Sequence, residues 1–275
     1  MLIFLFFWYN STMDKKYKRK RKIKIWNIIS LVLVIVILFS LYNIGIWFLD
    51  NYKNSKIDKS FDDTKKKVEK LDAMDADKIT NNLVSFDDLK KQNPDTVAWI
   101  RVRNTNINYP VVKCSNNGYY LYHSFDESEN KAGWIFMDYR NKLDGTDKNI
   151  VIYGHNRRNK SMFGSLPNVL EESWYNNKDN YEMLYIDESG VHTYQVFSVY
   201  TIEDEDYYIT TDFSNDEFES FINTLKDRSI HDFNVNVTKD DSILTLSTCS
   251  TSTYYRVVLH AVRKDKVKEK KESSN

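Results

Sequence analysis

The sequence contains one set of residues that could carry out covalent chemistry. Cys249 ends an apolar strand pattern, SILTLSTC, and Arg256 lies on the next apolar run, YYRVVLHAV. Adjacent antiparallel strands bring such a pair to one end of a sheet, where the cation favours thiolate and can bind an oxyanion. His155, between the strand-like run NIVIYG and the polar loop NRRNK, is placed to exchange protons. Cys249, His155 and Arg256 are therefore the candidate catalytic residues.

Other reactive groups give weaker indications. We interpret the remaining histidines as surface or packed residues, namely His123, His192, His231 and His260. No cluster of Cys, His and carboxylate residues has the spacing of a metal site, and no glycine-rich loop resembles a phosphate-binding motif. The sequence therefore predicts neither a metal nor a cofactor.

The elements that must position these residues are mainly short strands. Turns such as Asp144 and Gly145 join them closely, which favours a closed sheet over a parallel one. We expect a mostly β fold with added helices. The apolar patterns predict strands at 97–103, 106–112, 133–138, 149–154, 182–187, 191–202, 243–249 and 255–262, and helices near 60–75, 85–92, 161–172 and 215–228.

Taken together, these residues resemble a known family. TLSTC at 245–249, the downstream Arg256 and YGHN at 153–156 look like the motifs of sortases, the membrane-anchored cysteine transpeptidases of Gram-positive bacteria. The resemblance implies a closed eight-stranded sortase-type β-barrel, with N-terminal helices and one extra helix before the last two strands. Further blocks between about 83 and 262 resemble class B sortases: WIRVRNTNINYPVV (99–112), YYLYHSF (119–125), AGWIFMDYRN (132–141) and MFGSL (162–166).

The layout also favours class B. The interval of 94 residues from His155 to Cys249 leaves room for an extra helix, and 215–228 has the apolar spacing of one. Ser85 followed by Asp88 predicts the N-cap of a short helix that ends near Pro94. The polar C-terminus, RKDKVKEKKESSN, differs from the second membrane span usual in the pilin-polymerising class C.

The resemblance assigns a role to each candidate residue. It implies that Cys249 attacks the carbonyl of the threonine in a sorting signal, that His155 exchanges protons with the departing and incoming amines, and that Arg256 binds the tetrahedral oxyanion. It also implies a groove that binds the substrate beside the catalytic residues. Its substrate-binding residues are Asn117, Leu121, Tyr153, Ser247 and Thr248.

Class B membership further implies the partners. One is a surface protein with a C-terminal sorting signal, of the NP-x-T-[NG] type or the clostridial [SNP]P-x-T-[GAS] type. The other is an amine of a peptidoglycan precursor or its stem peptide. Both meet the enzyme at the outer face of the cytoplasmic membrane.

The N-terminal region predicts a membrane anchor. Residues 25–49 form an uncharged run of 25 residues, long enough for the roughly 30 Å hydrocarbon core, and eight basic groups precede it within 14–24. We therefore expect a single-pass protein with a cytoplasmic basic N-terminus, 1–24, and an extracytoplasmic catalytic domain. Met13 offers a simpler start, so 1–12 are interpreted as a misassigned start. A charged stalk at 50–80, the sortase domain at 81–262 and a polar tail at 263–275 complete the expected organisation.

The balanced formal charge hides an asymmetry. The eight basic groups of 14–24 and the six of 263–275 leave 25 basic against 35 acidic groups in 25–262. An acidic body repels nucleic acid, so we expect no nucleic-acid partner.

Two alternatives remain open from the residues. One is a sortase of another class, class D or a pilus-assembling type. The other is an inactive, membrane-tethered binding domain in which Cys114 and Cys249 form a disulfide. A papain-like peptidase is disfavoured, because in that family the cysteine precedes the histidine, whereas here His155 comes first.

Overall fold

The computed structural model describes residues 15–71, 83–203, 205–249 and 255–264. The chain divides into two units, 1–52 and 53–275. The first unit contains most of helix α1 (Lys15–Ser60). The part of α1 at Lys24–Ser60 is long and apolar enough to cross a membrane, and most large apolar side chains between 25 and 49 are exposed. By length and composition, this helix suits a membrane anchor or a signal sequence.

The second unit is built around a closed barrel of eight strands, which confirms the predicted fold class. The strand order is β1-β2-β3-β4-β7-β8-β6-β5, and β5 returns to pair with β1. Closure pairs each strand on both sides and so removes exposed sheet edges. The strands are β1 Thr96–Val102, β2 Asn108–Val112, β3 Phe136–Met137, β4 Asn149–His155, β5 Glu182–Asp187, β6 Gly190–Ile202, β7 Ile243–Cys249 and β8 Arg256–Arg263.

The barrel is mixed, because two of its strand pairs are parallel. β2 is parallel to β3, and β4 is parallel to β7 over all seven residues of each strand. Parallel neighbours need a long crossover, and here the chain between β4 and β7 supplies β5, β6 and the intervening helices. The β4–β7 pairing brings the C-terminal ends of two distant strands together.

The segment before the barrel packs against it, so residues 54–71 of the expected charged stalk do not stand free of the barrel. Helix α2 (Asp62–Leu71) buries Val68 and Leu71 in the main core. Phe61 is also buried, in an aromatic cluster that consists of Phe61, Trp99, Phe125 and Trp134. The high charge of the segment concealed these few apolar side chains, which share one helical face. The rest of the expected stalk, 72–80, lies outside the described residues.

A second N-terminal helix agrees with its capping signal. Helix α3 (Phe86–Gln92) begins after Ser85, whose hydroxyl accepts a hydrogen bond from the backbone N–H of Asp88. The helix ends two residues before Pro94, as the sequence predicts. Its buried residues Phe86 and Leu89 join the main core.

The predicted helix at 161–172 is wrong. The segment instead contains a 3-10 helix, Leu166–Leu170, followed by the short helix α4 (Glu172–Tyr175). Met162 has a left-handed backbone with φ of 54°, which an α-helix does not accommodate. The apolar side chains of the segment fill the core without helical continuity. β3 is also shorter than predicted, because Gly133 turns the chain with φ of 59°.

The extra helix before the last two strands is confirmed as α5 (Asn215–Asp227). Ser214 and Glu217 form a capping box at its start, in which each side chain binds the backbone N–H of the other residue. The apolar face of α5 builds a second core cluster on the outside of β6 and β8. Its buried members include Phe218, Phe221, Ile222 and Leu225 from the helix and Phe197, Tyr200 and Val258 from the strands.

Candidate active site

The strand register brings the backbones of the candidate catalytic residues together. His155 is the last residue of β4, Cys249 is the last residue of β7, and the two are direct partners in the parallel register. β7 and β8 are antiparallel, with Ser247 opposite Val258. Continuing that register by two residues brings Cys249 level with Arg256, the first residue of β8. The three positions therefore share one end of the barrel wall.

A backbone carbonyl fixes the tautomer of His155. The imidazole Nε2 lies 2.9 Å from the carbonyl oxygen of Leu121. A carbonyl can only accept, so Nε2 carries the proton and Nδ1 is left to exchange one. Burial is the largest influence on the pKa of His155 and lowers it. The hydrogen bond to Leu121 raises the pKa, and the charge of Arg157 lowers it. The net result is a pKa below the ordinary value of 6.5. The imidazole is therefore neutral near pH 7.

Gly133 allows this contact, and the sequence analysis missed it. A Cβ at Gly133 would lie 2.7 Å from Cδ2 of His155 and 2.8 Å from the carbonyl oxygen of Leu121. It would also lie 2.6 Å from the carbonyl oxygen of Tyr120. The backbone of Gly133 is left-handed as well, so both space and conformation require glycine. Gly133 is the glycine of the block AGWIFMDYRN, whose resemblance to class B sortases was the available signal in the sequence.

Two predicted substrate-binding residues converge on Asp138, which the sequence analysis also missed. Asn117 Nδ2 and the Tyr153 hydroxyl donate to Oδ2 of Asp138 at 3.0 and 2.8 Å. Arg140 pairs with the same carboxylate, whose side chain is fully buried. Burial raises the pKa of Asp138, but hydrogen bonds from Arg140, Tyr153 and Asn117 outweigh this and leave the pKa below its ordinary value. Asp138 is therefore a charged, buried acceptor beside the site.

Ser247 and Thr248 have internal hydrogen-bond partners. The Ser247 hydroxyl lies 2.9 Å from the hydroxyl of Tyr208, and both are buried. Thr248 Oγ1 accepts from the backbone N–H of Val257 at 2.9 Å, which links the ends of β7 and β8. Both side chains are enclosed in this arrangement. Contact with a substrate through them stays a prediction.

The remaining predicted positions lie around the same strand ends. Leu121 is partly buried and contributes its carbonyl oxygen to His155, while Arg256 is partly buried and pairs with Ile202 of β6. Cys114 is a free cysteine whose thiol donates to the carbonyl oxygen of Asn116 at 3.1 Å. This contradicts the alternative in which Cys114 forms a disulfide with Cys249. Among the described residues, no group of three or more His, Cys, Asp or Glu side chains could hold a metal ion.

Comparison with known proteins identifies the family of the chain. The family model of the sortase domain matches residues 100–264. Sortase B of Listeria monocytogenes is 37% identical over 235 residues, which cover 82% of this chain and 90% of that protein. The chain belongs to the sortase family. This confirms the resemblance seen in the sequence, and Sortase B relatives favour class B over the alternative classes.

Solved structures of sortases share the fold. The Staphylococcus aureus sortase B–substrate complex has a TM-score of 0.67 and 31% identity, with 78% of this chain and 99% of that chain covered. The Clostridium perfringens Sortase B structure has a TM-score of 0.62 and 34% identity, with 66% and 100% covered. As a sortase with Sortase B relatives, the chain is a cysteine transpeptidase that acts on sorting signals. This excludes the inactive binding domain.

Proposed function

We propose that this sortase cleaves its sorting signal after threonine, holds the product as a thioester on Cys249 and transfers it to a peptidoglycan amine. The observation that carries the proposal is the parallel register of β4 and β7, in which His155 and Cys249 are direct partners. In that register the backbone of His155, whose imidazole can exchange protons, is paired with the backbone of Cys249, whose sequence context resembles that of a catalytic cysteine. Arg256, level with Cys249 on β8, supplies the cation for the oxyanion.

In the first half-reaction, the sulfur of Cys249 attacks the threonine carbonyl carbon and forms a carbon–sulfur bond. Nδ1 of His155 takes the thiol proton, since Nε2 is occupied by Leu121. The oxyanion accepts hydrogen bonds from Arg256, an interaction worth about 3 kcal/mol where a single such donor is removed. When the carbon–nitrogen bond breaks, His155 gives its proton to the leaving amine. The enzyme is left as a thioester with a neutral imidazole.

The second half-reaction reverses these roles. A neutral acceptor amine attacks the thioester carbonyl, and Nδ1 of His155 accepts its proton as the new carbon–nitrogen bond forms. The carbon–sulfur bond then breaks, and the proton returns to the departing sulfur. One amide bond is exchanged for another, with no net redox change. The lowered pKa of His155 suits both steps, because each begins with a neutral imidazole.

The relatives support the proposed substrates. One sortase B structure is a complex with triglycine, and the Staphylococcus aureus structure is a substrate complex. We therefore assign this chain a sorting signal of the NP-x-T-[NG] or [SNP]P-x-T-[GAS] type. The acceptor is an amine of a peptidoglycan precursor or stem peptide, for which triglycine is a suitable probe.

Anchoring in the cytoplasmic membrane is part of the same proposal. The apolar helix Lys24–Ser60 follows the basic stretch 14–24. Positive charge before a span stays cytoplasmic, which leaves the barrel unit on the outer face. There it meets both the sorting signal and the peptidoglycan precursor. A protease added to intact cells should therefore digest the barrel unit and spare the N-terminus.

A peptide panel tests the proposed specificity. Full-length protein in detergent is incubated with triglycine and peptides that carry NPQTN, PPKTG or LPETG, and ligated products are measured by mass spectrometry. We expect ligation of the NPQTN or PPKTG peptide and none with Cys249→Ala. Ligation confined to LPETG would refute class B specificity. Products that persist in Cys249→Ala would refute the role of that cysteine.

A further inference from the structure

The Asp138 carboxylate is the centre of a group of hydrogen bonds that the reaction scheme does not use. Arg140 donates to it through Nε at 2.8 Å, Nη2 at 2.7 Å and its own backbone N–H at 2.9 Å. With Asn117 and Tyr153, the buried carboxylate accepts five hydrogen bonds. A bidentate guanidinium pair is geometrically specific, so these contacts fix the directions of its partners as well as their distances.

Arg140 extends the group to a turn on the other side. Its Nη2 also donates to the carbonyl oxygen of Ile209 at 2.9 Å. Ile209 ends the 3-10 turn Tyr207–Ile209, which follows β6. β6 ends at Ile202, the partner of Arg256 in the strand register. Arg140 therefore connects Asp138 to the chain segment that leaves the Arg256 side of the site.

These contacts form a closed series that passes through β4 and β7, the strands that carry His155 and Cys249. Tyr208 of the same turn is hydrogen-bonded to Ser247 at 2.9 Å. Ser247 pairs with Tyr153 in the β4–β7 register, and Tyr153 returns to Asp138. We call this closed series, Asp138, Arg140, Ile209, Tyr208, Ser247 and Tyr153, the polar circuit. It crosses β4 and β7 two residues before their catalytic ends.

A branch of the circuit leads to the imidazole. Asn117 is held at both ends of its amide, because Nδ2 donates to Asp138 and Oδ1 accepts from the backbone N–H of Tyr139 at 3.0 Å. Four residues later, Leu121 presents its carbonyl oxygen to Nε2 of His155. Asn117 and the carbonyl oxygen of Leu121 thus lie on one short segment, so the anchor of Asn117 on Asp138 can set the position of the acceptor that selects the His155 tautomer.

We propose that Asp138 is a positioning residue for this sortase, which orients His155 through Asn117 and Tyr153 and, with Arg140, holds the turn at 207–209 against the Arg256 side. Asp138 acts through its partners and touches neither substrate nor reacting atom. The kinetic part of this inference rests on the proposed function, whereas the structural part concerns the imidazole alone.

Asp138→Asn separates positioning from simple packing. The asparagine has nearly the same shape, but its single carbonyl oxygen cannot accept from Arg140, Tyr153 and Asn117 together. With full-length protein, triglycine and the best peptide of the panel, we expect kcat to fall by about tenfold to hundredfold, since small displacements of catalytic groups have effects of that size. KM should change less than kcat does, because the main loss falls on the reaction step, while Asn117 and Tyr153 are also predicted to contact the substrate.

A matched control removes another guanidinium–carboxylate pair. Arg103 binds Glu182 and also donates to the carbonyl oxygen of Asp179. We expect Arg103→Gln to lower stability and leave kcat unchanged. If Asp138→Asn lowers kcat no more than Arg103→Gln does, Asp138 has a structural role and the proposal is overturned.

The histidine tautomer provides a readout that does not depend on turnover. Nitrogen-15 NMR of histidine-labelled protein, assigned with His155→Gln, should show the Nε2–H form of His155 in the wild type. In Asp138→Asn, we expect a new fraction with the proton on Nδ1. Unchanged His155 signals in that variant would overturn the proposal.

A second variant covers the case in which Asp138→Asn does not fold. Asn117→Ala breaks the branch to Leu121 and leaves the Asp138–Arg140 pair intact, and Asn117 is only partly buried. It should shift the tautomer in the same direction, and an unchanged tautomer there would overturn the proposal. A wild type without ligation activity would refute the proposed function while leaving the tautomer result valid.

Discussion

The polar circuit and the aromatic cluster hold the barrel unit in different ways. In the aromatic cluster, Phe61 packs edge-to-face on Trp99 and Phe125 with ring centroids 5.9 and 5.1 Å apart. Such contacts depend on buried area and tolerate small shifts. In the polar circuit, the linking hydrogen bonds are 2.7–2.9 Å long, and each has a specific donor and acceptor. The first region supplies stability, and the second supplies geometry.

This difference indicates where changes should affect folding and where they should affect chemistry. A truncation in the aromatic cluster removes contacts from the core and leaves the strand ends of β4 and β7 in place. A small change beside His155 leaves the core filled but displaces the imidazole of this candidate catalytic residue. Mutations in the aromatic cluster should therefore lower stability, and mutations beside His155 should lower activity.

Phe61→Ala should have the largest effect, and it should act on stability. Phe61 is 2% exposed and contacts three aromatic rings, so its removal leaves a cavity and costs about 3–5 kcal/mol of unfolding free energy. Urea unfolding of the fragment 53–275 measures this. The control Ile230→Ala, at a residue that is 53% exposed, should cost less than about 0.5 kcal/mol. Equal losses of stability for the two variants would indicate that Phe61 is not packed against the barrel.

Gly133→Ala should instead act on turnover. The added Cβ collides with His155 and with the carbonyl oxygen of Leu121, so we expect kcat to fall by about a hundredfold. Gly145→Ala is a matched control, because Gly145 also has a positive φ but nothing within 4 Å of its Cβ position. It introduces the same kind of backbone strain without the collision. A similar loss of kcat in both variants would contradict the account of Gly133.

Much of the fold follows from local patterns in the sequence. Apolar runs locate all eight strands, and the spacing of Phe218, Ile222 and Leu225 locates α5. The start of α3 is equally local, because Ser85 and Asp88 are three residues apart. By contrast, the positive φ of Met162 disrupted a helix that periodicity favoured.

The site is only partly predictable for a related reason. Motifs indicate Cys249, His155 and Arg256, but the parallel pairing of β4 with β7 joins residues about 94 positions apart. The partners of Asp138 lie 2, 15 and 21 residues away, on different elements. Their meeting depends on strand register, which a one-residue slip would undo. Gly133 is similar, since glycine is required there by Tyr120, Leu121 and His155, which lie close to it in space.

His260 provides a smaller test on the stability side. It is fully buried between Thr245 and Tyr200, and burial lowers its pKa to about 3. The unfolded chain takes up this proton first, so stability should fall as pH decreases from about 6.5 toward 3, by about 1.4 kcal/mol per pH unit. Urea unfolding across this range measures the slope. His260→Gln should have a shallower slope by that amount, and an unchanged slope would contradict the buried neutral state.

His155 provides the smallest test, on the activity side. Because burial lowers its pKa below 6.5, the neutral form persists to lower pH, and the acid limb of kcat/KM should lie below that value. Arg157→Gln removes a charge that lowers the pKa, so it should move the acid limb to higher pH. An acid limb above 6.5 in the wild type would contradict the neutral imidazole at rest.

The central claim is that Cys249 carries the acyl group, and trapping the intermediate tests it most directly. Full-length protein is mixed with the sorting-signal peptide in the absence of an acceptor amine, and the intact mass and the Cys249 peptide are measured. The account predicts an adduct that ends at threonine, resides on Cys249, is released by hydroxylamine and is absent in Cys249→Ala. Peptide cleavage that proceeds without an adduct and continues in Cys249→Ala would contradict it.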